Sequence, residues 1–167
     1  MWNIDISYRP EFQSTFERLY EKLAVLKQSR PLTSIALQKI KDSLTIEWTY
    51  NSNSMEGNTL TLRETQMVLQ EGITIKGKSL REHFEAKNHE KAIDYLHTLV
   101  NEHYTLRSID ILSLHELVLR MIEDEFAGRI RNGGVRITGA NFVPPNANKV
   151  SDLLDELIDF VNTNPLG

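Results

Sequence analysis

The side chains able to do chemistry are few and scattered. The five histidines, His83, His89, His97, His103 and His115, include no HExxH and no pair four residues apart, so a helical zinc site has little support. The chain has no cysteine, which removes disulfides, thiolate ligands and thiol nucleophiles and fits a reducing compartment. Gly133-Gly134 lie in the basic run Arg129 to Arg136, and consecutive amides can bind an anion. No GxxxxGK[ST] or GxGxxG accompanies them, so they read as an entry turn. What remains is one heptapeptide, Ser52-Asn53-Ser54-Met55-Glu56-Gly57-Asn58. It sets Glu56 at a helix C-terminal end, beside the negative end of the dipole, where a carboxylate calls for a cation from elsewhere in the fold. By local rules alone Glu56 reads as a solvated carboxylate and Asn58 as a turn residue.

The elements that must position this heptapeptide are mostly helices. Phe12, Phe16, Leu19, Leu23 and Leu26 recur at three and four residues, which predicts an amphipathic helix over Glu11 to Leu26, with Pro10 before it and Pro31 after. Leu37, Ile40, Leu44 and Trp48 predict a second, running to about Asn53 and stopped by Gly57. Thr61 and Glu64 have capping-box spacing and open a short helix that ends at Gly72; Ser79 and Glu82 repeat the device. The long helix after Ser79 should turn Leu80, Phe84, Ile93, Leu96 and Val100 inward, and the polar stretch Asn101 to Thr105 should close it. Ser108 is expected to cap another, running through Leu112, Leu119 and Ile122, and a last helix starts near Asn148 with Val150, Leu153, Leu154, Leu157, Ile158 and Val161 as its stripe.

Between the last two helices the period changes. Val135-Arg136-Ile137-Thr138 and Asn141-Phe142-Val143 alternate around Gly139-Ala140, and Pro144-Pro145 closes the segment, the signal of a small β-hairpin. His115, within Leu114-His115-Glu116-Leu117-Val118, reads as a packed structural histidine.

The heptapeptide resembles the [S/T]xxxE[G/N] inhibitory motif of Fic-domain proteins, which transfer the AMP moiety of ATP onto protein hydroxyls. Further pieces follow in family order: Glu85-Ala86-x-Asn88 with Ala92 and Leu96, Leu114-His115, Ala127-Gly128-x-Ile130-Arg131, then Val135 to Pro145, and Val150. The similarity covers roughly Thr45 to Gly167, leaving 1–44 as an N-terminal helical segment and 45–167 as the inhibitory helix with the N-terminal part of a Fic domain. It implies a mainly α fold, a Fic-type helical domain with one β-hairpin flap, C-terminally incomplete. The implied inhibitory residues are Ser52, Glu56, Gly57 and Asn58. The implied target-binding flap is Val135, Arg136, Ile137, Thr138, Gly139, Ala140, Asn141, Phe142 and Val143, holding a peptide by strand addition.

In the family the partner of the inhibitory glutamate is the second arginine of the catalytic loop, HxFx[D/E]GNGRxxR, and the pair blocks productive placement of the ATP γ-phosphate. That loop, with its general-base histidine, occurs nowhere in the 167 residues, so no catalytic residue and no metal ligand is assigned to this chain. The resemblance thus implies the N-terminal portion of an autoinhibited protein adenylyltransferase acting on Ser, Thr or Tyr hydroxyls, with ATP and Mg2+ as cofactors of the intact enzyme. This chain by itself is expected to be inactive and to bind neither tightly. A non-enzymatic truncated Fic scaffold, serving as an interaction or inhibitory module, is the alternative. Met1 to Thr33 lies outside the resemblance and reads either as a helix packed on the core or as a dimerisation arm, so a homodimer is left open.

Bulk composition narrows the partners. At 40% hydrophobic and 25% charged the chain is an ordinary globular sequence. A formal net charge of -4 argues against phosphate-backbone binding, so nucleic acid is not an expected partner. No apolar run approaches the roughly 18 residues of a membrane span, and the start lacks the regions of a signal peptide, so a cytoplasmic protein is the expectation; the protein substrate is implied by the resemblance alone.

Overall fold

A computed structural model of the protein describes residues 13–28, 32–100 and 104–163. The chain divides between Lys41 and Asp42 into two units. The first holds helix α1, Gln13–Gln28, and the first turns of α2, Ser34–Met55. Thr33 opens α2 by accepting the Ala36 N–H at 3.2 Å. The predicted α1 forms, yet Leu19, Leu23 and Leu26 of its apolar stripe stay largely exposed; Phe12 and the flanking Pro10 and Pro31 lie outside the described residues.

The second unit contains the rest of α2, then α3 at Leu62–Gln66, which widens into a π turn at Met67–Glu71. After it come α4 at Leu80–Leu99, α5 at Ser108–Leu119, a 3-10 turn at Ala147–Lys149 and α6 at Val150–Thr163. Both capping boxes form as the spacing predicts. Glu64 accepts the Thr61 N–H at 2.8 Å and Glu82 the Ser79 N–H at 2.7 Å, while each hydroxyl accepts in return from the backbone N–H of its glutamate. The apolar core gathers Leu60, Val68, Leu69 and Ala86, with Ile46 and Ile75 packed against it.

Helix α4 buries Ile93 as expected but otherwise departs from expectation in which face it buries. Leu80, Leu96 and Val100 are 64%, 45% and 71% exposed, and the buried residues are His83, Ala86, Asn88, Ala92 and Ile93. Small residues let neighbouring elements approach, and the polar ones are satisfied by them. The His83 ring donates from Nδ1 to the Ser79 carbonyl at 2.7 Å and accepts the Ile75 N–H on Nε2 at 2.8 Å, the pattern of a neutral imidazole. The Asn88 amide donates to the carbonyls of Val118 and Arg120, capping the end of α5.

The ends of α5 also differ from the sequence reading. Arg107, not Ser108, occupies the N-cap position, because the fully buried Asp110 folds back to accept from the Arg107 N–H at 2.9 Å and its guanidinium at 2.8 and 3.1 Å. That guanidinium holds the Asp110 carboxyl well below the usual carboxylate range. The Ser108 hydroxyl is thereby free to donate to Asp155 on α6. The helix stops at Leu119, short of Ile122, where Met121 turns left-handed at φ 63°. In α6 Ile158 is buried, while Leu157 and Val161 remain 46% and 43% exposed.

The predicted β-hairpin over Val135 to Val143 is not there. Among the described residues no strand occurs, and the fold is helical. The turn itself forms, with the Ala140 N–H on the Ile137 carbonyl at 3.2 Å. Of its two central residues only Gly139 has positive φ, at 81°, the type II pattern, and type II turns splay the chains they join where types I′ and II′ match strand twist. Pro144 and Pro145 remove two ladder donors, and Val135, Ile137, Phe142 and Val143 find no surface to pack on, so an isolated ribbon has little to hold it together. The arms instead line the two sides of an open groove of ≈ 700 Å³, and Arg131 ties its base by donating to the Gly133 and Pro145 carbonyls.

Among the described residues no helix is long and apolar enough to cross a membrane. Removing the Ser79 cap by Ser79→Ala should cost about 1 kcal/mol, read as a lower urea midpoint at unchanged slope. Glu82 gives the acid dependence: hydrogen bonds from the Thr59 hydroxyl, the Ser79 N–H and the Thr59 N–H push its carboxyl from 4.5 down to about 2. The unfolded chain therefore takes up that proton more readily than the folded one. The stabilisation is complete above about pH 4.5 and is lost as the pH falls from there towards 2, so the stability gap between parent and Glu82→Gln should be flat above pH 5 and shrink below it.

Candidate functional site

Helix α2 stops at Gly57. The Gly57 N–H bonds the Ser54 carbonyl at 3.1 Å, the Asn58 N–H bonds the Asn53 carbonyl at 2.9 Å, and Gly57 sits at φ 93°. These paired bonds around a left-handed residue make a Schellman terminus, in which glycine adopts without penalty a conformation that a Cβ would oppose. Glu56 is the residue just before that reversal, at the negative end of the helix. Its side chain is exposed and, among the described residues, carries no hydrogen bond or ion pair. Ser52 lies one turn earlier on the same face and is half-buried. Between them Asn53 has a buried Nδ2 with no partner among the described residues.

Asn58 does more than turn the chain. It is 8% exposed; its amide donates to the Glu82 carbonyl at 3.1 Å and to Glu85 Oε2 at 2.9 Å, both on α4, and its Oδ1 accepts the Leu60 N–H at 3.0 Å. Thr59 follows by donating its N–H and hydroxyl to Glu82 Oε1, at 2.9 and 2.6 Å, and Lys78 donates to the Thr59 carbonyl and hydroxyl. Further back in α2 the fully buried Thr49 hydroxyl shares a 3.0 Å hydrogen bond with His89 Nδ1, and burial holds that imidazole below its ordinary pKa. Glu82, Glu85 and His89 fall at i, i+3 and i+7 of α4, one polar stripe facing the motif helix. That spacing was the signal in the sequence for these positioning residues, which a search for apolar stripes passes over.

Beyond the stripe, the second Glu85 oxygen accepts from Arg81 Nε at 3.0 Å, and Arg81 Nη2 reaches Glu123 at 3.2 Å, in the segment after α5. With side chains 59% and 43% exposed, the Arg81–Glu123 pair is screened by solvent and contributes little net stability. No hydrogen bond among the described residues joins the heptapeptide directly to Val135–Val143, of which all but Ala140 are exposed. His115 is half-buried and lines a second groove, of ≈ 480 Å³, beside Leu119, Phe126 and Ile130.

The described residues contain no group of three or more His, Asp or Glu side chains placed to hold a cation. Gly133 and Gly134 both lack the positive φ that an amide nest alternates with, so they are no phosphate cradle.

No family model matches the chain. Curated relatives do: it is 32% identical over 152 residues to the protein adenylyltransferase Fic of Aedes aegypti, covering 90% of this chain and 30% of the relative. It is 34% identical over 131 residues to the protein adenylyltransferase fic-1 of Caenorhabditis elegans, covering 77% and 25%. Among solved structures it is similar to residues 134–508 of C. elegans Fic-1, with a TM-score of 0.72 at 29% identity over 92% of this chain and 46% of that one. A Fic-domain signalling protein from Bacteroides thetaiotaomicron gives a TM-score of 0.73 at 27% identity, over 88% and 55%. The chain therefore spans 25% to 30% of the length of these curated relatives.

A side chain at position 57 would have to take the left-handed conformation, which costs about 1–2 kcal/mol. Gly57→Ala should therefore lower the unfolding free energy by about that amount and speed hydrogen exchange at the Gly57 and Asn58 amides more than elsewhere.

Proposed function

This chain belongs to the Fic-domain family, and on that premise we propose that it supplies the inhibitory helix and helical scaffold of a protein adenylyltransferase. In this reading α2 is the inhibitory helix, with Ser52, Glu56, Gly57 and Asn58 as its motif. The supporting observation is the Schellman end of α2, which fixes Glu56 as an exposed helix-terminal carboxylate with no cation among the described residues. A carboxylate so placed gains from a guanidinium brought by another segment, since it relieves the unfavourable dipole and forms charge-assisted bonds. The arginine is the second of the HxFx[D/E]GNGRxxR loop, and the pairing keeps the ATP γ-phosphate from its productive position.

The reaction of the intact enzyme is transfer of AMP from ATP to a Ser, Thr or Tyr hydroxyl of a protein substrate. The catalytic loop does not occur in the sequence, and among the described residues no group of three or more His, Asp or Glu is placed to hold a metal ion; in this reading the part of the 167 residues is restraint and scaffolding. Val135 to Val143 are the target-binding residues of this reading, as an open loop whose backbone groups are unpaired by any strand.

In a protein that joins these residues to the catalytic loop, Glu56→Gly should raise automodification from α-labelled ATP by about tenfold or more, the scale of losing one charge-assisted pair. Equal labelling of parent and variant would sink the inhibitory assignment. The 167 residues alone should label no added substrate.

A further inference from the structure

We propose that Glu85 on α4 is a positioning residue for Glu56, setting the inhibitory carboxylate through Asn58. The proposal rests on the inhibitory reading of Glu56 and extends it to the element that holds the motif in place. Three observations carry it. Asn58 is the second residue after Glu56, and its own N–H closes the outer Schellman bond at 2.9 Å, so the place of Asn58 decides how α2 ends. Asn58 is buried, which makes its amide donors dependent on protein acceptors, and one of the two acceptors is the Glu85 carboxylate at 2.9 Å. Glu85 is itself oriented, since its other oxygen accepts from Arg81 Nε at 3.0 Å and its side chain is only 25% exposed.

The arrangement puts a charge-assisted bond where a neutral one would have closed the same gap. Asn58 also donates to the Glu82 carbonyl, a backbone group that no side-chain substitution removes, and so the motif stays docked on α4 when Glu85 is changed. What the loss of Glu85 removes is the one charge-assisted bond of the three that hold the Asn58 side chain, leaving those to the Glu82 carbonyl and the Leu60 N–H, and this loosens the last turn of α2. Arg81 adds orientation to Glu85 from a mostly exposed position, so its removal should act in the same sense and more weakly.

The test uses a protein that carries these residues with the HxFx[D/E]GNGRxxR loop, labelled with α-labelled ATP, as a double-mutant cycle. Glu85→Ala should raise automodification about tenfold in the parent, as expected when one charge-assisted hydrogen bond is removed from the inhibited state. Glu85→Gln keeps an oxygen for Asn58 and should stay within about twofold of the parent. In the Glu56→Gly background Glu85→Ala should change nothing further, because no carboxylate is left to place. Unchanged labelling by Glu85→Ala in the parent, or the same change in both backgrounds, overturns the positioning role. Failure of Glu56→Gly itself to raise labelling instead strikes the inhibitory reading and is seen separately. Should Glu85→Ala not fold, Arg81→Ala takes its place in the cycle: a smaller rise in the parent and none in the Glu56→Gly background supports the positioning role, and an unchanged parent overturns it. A second readout on the 167-residue chain is hydrogen exchange: Glu85→Ala should speed the Gly57 and Asn58 amides and leave that of Glu64 unmoved, and uniform acceleration would overturn the proposal.

Discussion

Helix α2 ends with two backbone donors on its last carbonyls and an asparagine amide on the first turns of α4, and the geometry of the candidate site follows from that junction. A helix terminus leaves polar groups that must be met, and here the same few residues meet the ends of two helices at once. Glu82 accepts from Ser79 to open α4 and from Thr59 to fix the chain leaving α2. Its carboxyl is held near 2 by those donors, so one ionised side chain ties α4 to Thr59, 23 residues before it in sequence. The apolar cluster of Leu60, Val68, Leu69 and Ala86 begins two residues after Asn58 and packs beneath this polar joint.

How much of this was legible in the sequence depended on how local each determinant is. The capping boxes at Thr61 and Ser79 and the stop at Gly57 could be read because each needs only residues within four positions. The buried face of α4 could not. A search for apolar periodicity selects Leu80 and Leu96, whereas the fold buries His83 and Asn88, whose partners lie at Ile75, Val118 and Arg120. A buried histidine or asparagine is affordable only where acceptors and donors arrive from distant elements, and no local pattern records that arrival. Asp110 displaced Ser108 from the expected cap for a related reason, since a carboxylate three residues on competes for the same backbone donor and brings the Arg107 guanidinium with it.

The loop over Val135 to Val143 shows the opposite failure, a local pattern with no global support. Alternation predicts a strand only when one face is buried, and here both arms remain in solvent. The glycine at the turn was read correctly as a turn residue, but its conformation splays the arms, and Arg131 holds the base of the loop by carbonyls that a ladder does not use. The candidate residues of the motif were easier to find than their supports: Ser52, Glu56, Gly57 and Asn58 follow from resemblance, while Thr49 and His89 emerged only from the packing of α2 on α4, as did the contact of Glu85, itself one of the resembling residues, with Asn58.

Because α2 is fastened from its C-terminal half, at Thr49 and Asn58, its phase is set at the far end and not where the helix begins. Upstream of Thr49 the helix is also held at Ile46, which packs against the apolar core, and residues inserted or deleted before Ile46 lengthen or shorten the helix without turning Glu56. A single residue inserted between Thr49 and Asn58 would rotate one fastening against the other by about 100° around the axis, which the two contacts could not both follow. The length of the chain is therefore constrained from Thr49 to Asn58, nine positions apart, and less so where the helix begins.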